Sequence, residues 1–145
     1  MSQWLLDMKE QPKYIFFTDR DLGKQFPNIL KENGISVERH CDHFEDDAKD
    51  EDWLSEIGSR GWYVITRDKN IRYKPNEKAA VERFNVGLFI LIGDIKHIDL
   101  AYNFVNTYPR IIKFIEKNSC PFIAKIYRPE KKRKSGRVTI WKTFH

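Results

Sequence analysis

Residues 62–70 read WYVITRDKN, and the fold turns on this stretch. Trp62 to Thr66 are aromatic, aliphatic or β-branched, the composition of a buried strand. The run then stops on Arg67, Asp68, Lys69 and Asn70. A strand that ends this abruptly sets the Asp68 carboxylate at the rim of a sheet. There it can close a turn with Asn70, or it can hold a metal ion.

The same alternation of apolar run and polar punctuation extends in both directions. Tyr14–Thr18, YIFFT, is short and continuously apolar, as suits a strand buried on both faces. Leu22, Phe26, Ile29 and Leu30 recur at helical spacing, Asn33-Gly34 supplies a stop, and Pro27 marks a start or a bend. Ile35 to His40 is a second strand, and Cys41 to Lys49 is an acidic loop. Asp50 is expected to N-cap a helix whose apolar face is Trp53, Leu54 and Ile57, and Gly61 is expected to end it. Pro75 opens another helix. Val86–Ile92 is a fourth strand. Ala101 to Ile115 keep a helical period that Pro109 is expected to split or kink. Phe122–Tyr127 and Val138–Trp141 read as a hairpin around the basic turn RPEKKRKSGR.

Strands alternating with helices predict an α/β fold: a central, mostly parallel sheet between two helical layers, with the hairpin appended. At 145 residues the chain is expected to be one domain, with a core over about 14–92 and C-terminal helices and hairpin over 97–145. Hydrophobic residues at 41% suffice for a sizeable core, which excludes wholesale disorder. No apolar run approaches the ~18 residues of a membrane span. MSQWLLDMKE does not read as a signal peptide, and two cysteines make no bridging framework, so a cytoplasmic protein with reduced thiols is expected.

Charge is polarised along the chain. Glu38 to Glu56 carry nine acids and two bases, whereas Lys125 to Lys142 carry eight bases and one acid. Either block alone is an ordinary solvated face. Together they supply carboxylates for a metal and cations for phosphates. Asp19 follows the first strand, Asp68 follows the third, and Asp50 opens the helix leading into the third. Ligands of such sheets bind at the carboxyl ends of the strands, where these three acids can meet. Converging carboxylates repel one another unless a cation lies between them. Mg²⁺ or Mn²⁺ suits oxygen donors and in-line phosphate displacement. Each acid also has an ordinary role: Asp50 as a cap, Asp19 in a turn with Asp21, Asp68 in a turn with Asn70.

FFTDRDL and KDEDWLSEIGSRGWYVITRDKNI, with the distance between them, resemble the PIN-like domains, in particular the VapC-type toxin ribonuclease branch. The resemblance covers roughly Tyr14 to Leu91. An acid closing the first strand matches Asp19. An acid opening the helix matches Asp50, and the Thr-x-Asp after it matches Thr66 and Asp68. Asn70 stands where many members carry another Asp. Asp42, in the Asp-His-Phe run before that helix, is the best match for a further acid, with Glu51 and Asp52 nearby. The resemblance implies a PIN fold, a Mg²⁺ or Mn²⁺ site on Asp19, Asp50, Asp68, Asn70 and Asp42, and RNA phosphodiester cleavage. It also admits an antitoxin partner and a homodimer, or a non-catalytic module that binds RNA or protein.

Other motifs carry less. HCDH, His40 to His43, lacks the second Cys/His pair of a zinc site. DRDLG, Asp19 to Gly23, offers an Asp-x-Asp of the topoisomerase-primase kind, but only Glu10 precedes it. Lys69, Arg67 and Arg72 can steer a phosphate, as can Lys131 to Lys134, and each equally suits an exposed surface. Glu77 favours the positive end of its own helix.

Overall fold

The fold, taken from a computed structural model, is described for residues 14–70, 73–130 and 134–144. The N-terminal MSQWLLDMKE, Arg72 and most of the Lys131–Lys134 run lie outside the described residues. Six strands are present: β1 (Phe16–Thr18), β2 (Val37–Arg39), β3 (Tyr63–Thr66), β4 (Gly87–Leu91), β5 (Phe122–Ile126) and β6 (Val138–Thr143). Four helices connect them: α1 (Gln25–Glu32), α2 (Asp50–Arg60), α3 (Pro75–Arg83) and α4 (His97–Lys117). The sheet order is β2-β1-β3-β4-β5-β6. The first five strands are parallel, and β6 returns antiparallel to β5.

Period-2 alternation sorts the strand residues into two cores. Phe16, Ile65, Phe89, Leu91, Phe122, Ala124 and Ile126 face one side, against Phe26, Ile29 and Leu30 of α1 and Leu100, Phe104, Ile111 and Ile115 of α4. Phe17, Val64, Leu88, Ile90 and Ile123 face the other, against Trp53, Leu54 and Ile57 of α2 and Ala80 and Val81 of α3. β1, β3, β4 and β5 are therefore apolar on both faces, as their continuous runs in the sequence require, whereas the edge strand β2 adds only Val37. The result is the expected three-layer α/β/α arrangement with a C-terminal hairpin. β5 and β6 extend the same sheet, and α4 shares a face with α1, so the C-terminal third completes the core.

Three local expectations are corrected. Pro109 neither splits nor ends α4, which runs through it for 21 residues. The missing N–H removes one helical bond, but Phe104, Thr107, Ile111 and Ile115 bury both flanks, and that packing outweighs the loss. Asp50 is not the N-cap of α2. Lys49 holds that place in an extended conformation, and its carbonyl accepts from the Asp52 and Trp53 amides. The loop after β2 starts with a short 3-10 turn, His40–Asp42. Gly61 does end α2, at φ 70°, where its amide and that of Trp62 return to Gly58 and Ile57 carbonyls.

The carboxyl ends of β1 to β5 all lie on one edge of the sheet. The chain leaves β1 toward β2 and comes back on the far side of β1 as β3. The crevice between the ends of β1 and β3 is therefore a topological switch point, where open α/β sheets take their ligands.

Candidate active site

Thr18 and Thr66 close the two strands that flank this crevice, and both are buried. Asp19 leaves β1 still in register, its amide donating to the Ile65 carbonyl at 3.1 Å. It caps the 3-10 turn Arg20–Leu22 by accepting from the Arg20 amide at 2.7 Å. That turn brings Asp21 back over the end of β3.

The Thr66 hydroxyl is the hub of the site. It lies 3.1 Å from Asp19 Oδ2 and 3.3 Å from Asp21 Oδ2, so one donor is shared between two carboxylates. It accepts from the Asp68 amide at 3.0 Å. The Arg67 amide adds a second donor to Asp21 Oδ2 at 3.1 Å. A buried threonine at this strand end thus ties the loop after β1 to the loop after β3.

Burial first, and like charge after it, raise both acids against the hydrogen bonds that lower them. Burial raises Asp19, partly offset by the Arg20 amide and the Thr66 hydroxyl, and the Asp50 charge adds to the rise. Burial of its carboxylate end, and then the charge of Asp19, push Asp21 up to about 6. The charge of Asp68 also acts on Asp21. Four aspartates, 19, 21, 50 and 68, therefore share one electrostatic neighbourhood.

Three of the four already lie beside cations, Asp19 least closely, with Arg20 Nε 3.9 Å from its Oδ1. Asp68 Oδ2 accepts from Lys74 Nζ at 2.9 Å, and Asp68 Oδ1 accepts from the Asn70 amide at 3.0 Å. Asp50 Oδ1 accepts from Trp53 Nε1 at 2.9 Å and lies 3.3 Å from Arg20 Nη2. Among the described residues, no three acid, histidine or cysteine side chains close around one point as a metal-holding group. Asp19, Asp50 and Asp68 share the neighbourhood without converging on a single centre. The donor set still fits a hard divalent ion in kind, because it is all carboxylate oxygen. Lys74 and Arg20 put positive charge where such an ion would put it. Drawing three carboxylates onto one ion requires at least one of these cations to let go.

Asn70 contributes its backbone amide to the Asp68 turn, and its side chain is exposed. Asp42 is exposed beyond β2, where Cys41 Sγ approaches its Oδ1 at 3.8 Å, and it shares no partner with the other four. Asp21, which shares the Thr66 hydroxyl with Asp19, lies in the cluster instead. The sequence signal was Asp19-Arg20-Asp21 directly after a strand, which also reads as a simple turn. The HCDH run does not gather as a zinc site among the described residues: His40 is buried against Phe17, Phe44 and Trp53, and His43 Nε2 lies 3.6 Å from Glu38.

Cations occupy the same edge. Arg67 Nη2 donates to the Gly93 carbonyl at 3.3 Å, and the Arg128 stem packs against Gly93. The β5–β6 turn also rises from this edge. Its root is fastened to α4: the Gly136 amide donates to Thr107 Oγ1 at 2.8 Å, and Arg110 Nη1 donates to the Gly136 carbonyl at 3.1 Å. Asn103 Nδ2 holds the Tyr127 carbonyl at 3.2 Å, and Arg137 lies 4.5 Å over the Tyr127 ring. With strands ~4.8 Å apart, the end of β5 stands roughly 10 Å from the end of β3. The basic hairpin is thus a short step from the acids along one edge.

A family model described as a PIN like domain matches residues 14–93, the span that contains all four aspartates. No curated protein and no solved structure matches the chain.

Proposed function

Because the chain belongs to the PIN-like domain family, we propose that it is a divalent-metal-dependent nuclease that cleaves RNA phosphodiester bonds. The observation that carries this reading is the pairing of Asp19 and Asp21 on one threonine hydroxyl at the switch point, within the field of Asp50 and Asp68. A protein that gathers four carboxylates where ligands bind has a use for a cation there.

Asp19 and Asp21, tied to the Thr66 hydroxyl, would hold the ion, and Asp68 would be a further donor if Lys74 gave it up. Asp50 is set from the far side by Trp53 and Arg20. Asn70 keeps Asp68 in its turn. When bound, Mg²⁺ or Mn²⁺ supplies Lewis-acid stabilisation of the charge on a phosphate. Lys74, if released from Asp68, would offer its ammonium to a phosphate. Arg67, Arg128 and Arg137 hold the flanking backbone along the edge. Arginine suits this because its planar fork matches phosphate oxygens.

The test compares RNA cleavage by the wild type and Asp68→Asn, each with chelator and with Mn²⁺. Metal-stimulated cleavage is expected to vanish in the variant while its melting temperature stays within a few degrees of wild type. Equal cleavage by both, in preparations free of contaminating nuclease, defeats the assignment.

The Lys74–Asp68 and Arg20–Asp50 pairs favour a second reading, a PIN-like module that binds RNA without cutting it. Here the two cations would permanently replace the metal. Such a protein binds RNA equally with chelator and with Mn²⁺ and never shortens it.

A further inference from the structure

Buried polar atoms in folded proteins nearly always find a hydrogen-bond partner. Among the described residues only three buried side-chain polar atoms lack one: Arg39 Nε, His40 Nδ1 and His40 Nε2. All three belong to two consecutive residues at the carboxyl end of β2. Both residues line one small cavity of about 100 Å³, together with Thr18, Asp19, Arg20, Gly23, Cys41 and Asp46. His40 is only 1% exposed, so bulk water does not serve its ring nitrogens. The cavity adjoins the acid cluster directly, since Asp19 and Arg20 belong to both.

Two explanations compete for these orphaned groups. Ordered water can fill the space, which equals the share of about three molecules at ~30 Å³ each. Water does not answer the charge, however. Arg20 is already committed to the Asp46 carbonyl and the Asp50 carboxylate. Arg39 makes no described ion pair, and its Nε is shut away from solvent. An arginine in that position calls for an anion with several acceptor oxygens, which a phosphate provides in a tetrahedral unit of suitable size. A neutral imidazole adds one N–H donor in either tautomer. Asp19 and Asp46 also line the cavity and oppose an anion. Arg20, which lies 3.9 Å from Asp19 Oδ1 and donates to the Asp46 carbonyl, offsets that opposition.

We propose that the cavity between the ends of β1 and β2 is a phosphate subsite, in which Arg39 and His40 hold a phosphate of the nucleic-acid strand beside the aspartate cluster. It rests on the nuclease reading only for the identity of the strand. The subsite flanks the acids on the β2 side, and the arginines and basic hairpin flank them on the β4–β6 side. A strand lying along the edge is thus gripped on both sides of the acids.

The experiment is run on the full chain in chelator, so that nothing is cleaved. Inorganic phosphate is titrated while the ¹⁵N resonances of the His40 ring and of Arg39 Nε are followed. Both are expected to shift saturably in the wild type. Short RNAs bearing a 5′-phosphate, a 3′-phosphate or hydroxyls at both ends are then compared by fluorescence anisotropy. Tighter binding of one phosphorylated end identifies a terminal phosphate as the occupant, and equal binding of all three with the same resonance shifts identifies an internal one. Arg39→Gln is expected to weaken the favoured RNA about tenfold, a loss of ~1.4 kcal/mol. Resonances that ignore phosphate and every RNA overturn the proposal and leave the pocket to water. Because no step reads cleavage, an inactive protein can still pass, and an active nuclease can still fail.

Discussion

Asp21 is the residue on which the site is most sensitive to pH. Its carboxyl titrates at about 6 in the folded chain against 3.8 for an unperturbed group. A raised carboxylate pKa means that the native state holds the proton more tightly than the unfolded state does. The stability it contributes is therefore complete below about 4 and is lost as pH rises through about 6. Asp19 moves in the same direction for the same first cause, burial. In chelator, Asp21→Asn should melt higher than wild type at pH 7 and close to it at pH 4, because the amide still accepts from Thr66 and Arg67 and never ionises. Thermal melts across that range check this, and a constant difference would show that Asp21 does not feel its neighbours. The sequence marked Asp19 and Asp68 by their places after strands. It could not rank Asp21 above Asp42, because the two differ in what they face, not in local pattern. Asp50 was legible as an acid at a helix start but not in its role. Its carboxylate goes sideways to Trp53 and Arg20, and Arg20 is 30 residues away.

At the scale of elements, Gly58 lets helix α2 approach the end of α3 closely. A methyl group on Gly58 would run into the carbonyl oxygen of Phe84. Gly58→Ala should therefore push α3 outward and cost about 1–3 kcal/mol, the usual range for forcing extra volume into a packed contact. Urea unfolding measures it. A neutral or stabilising result, as helix propensity alone predicts for Gly to Ala, would mean that the two helices do not pack this closely. Since α2 carries Asp50 and α3 begins beside Lys74, the same variant should disturb metal-stimulated cleavage. Strand and helix positions were readable because the apolar runs were continuous where both sheet faces are covered and spaced by three and four where one helix face is buried. The reading failed at Pro109. A local rule predicts a break there, whereas burial on both sides of the proline, through residues Phe104 to Ile115, holds the helix together.

At the scale of the whole molecule, the parallel sheet sends every functional group to one edge: the acids at the switch point, Arg39 and His40 beside them, and the basic hairpin a few strands away. Affinity for RNA should accordingly be dominated by phosphate contacts and fall with salt. Replacing both Arg128 and Arg137 by Gln should weaken binding similarly for unrelated RNA sequences and lower the slope of log K against log salt by about 1–2. Anisotropy titrations at several ionic strengths measure the slope, and an unchanged slope would remove the hairpin from the binding path. The sequence by itself determined the order and type of the strands and helices, the two-sided burial of the sheet, and the presence of acids after β1 and β3, because those follow from residue period and local turn chemistry. Only the tertiary structure decided which acids share a hydroxyl, which are neutralised by Lys74 and Arg20, and that Arg39 Nε and the two His40 ring nitrogens find no hydrogen-bond partner among the described residues. Those facts depend on side chains from strands far apart in sequence, and through-space distance, not spacing along the chain, sets hydrogen bonds and charge coupling.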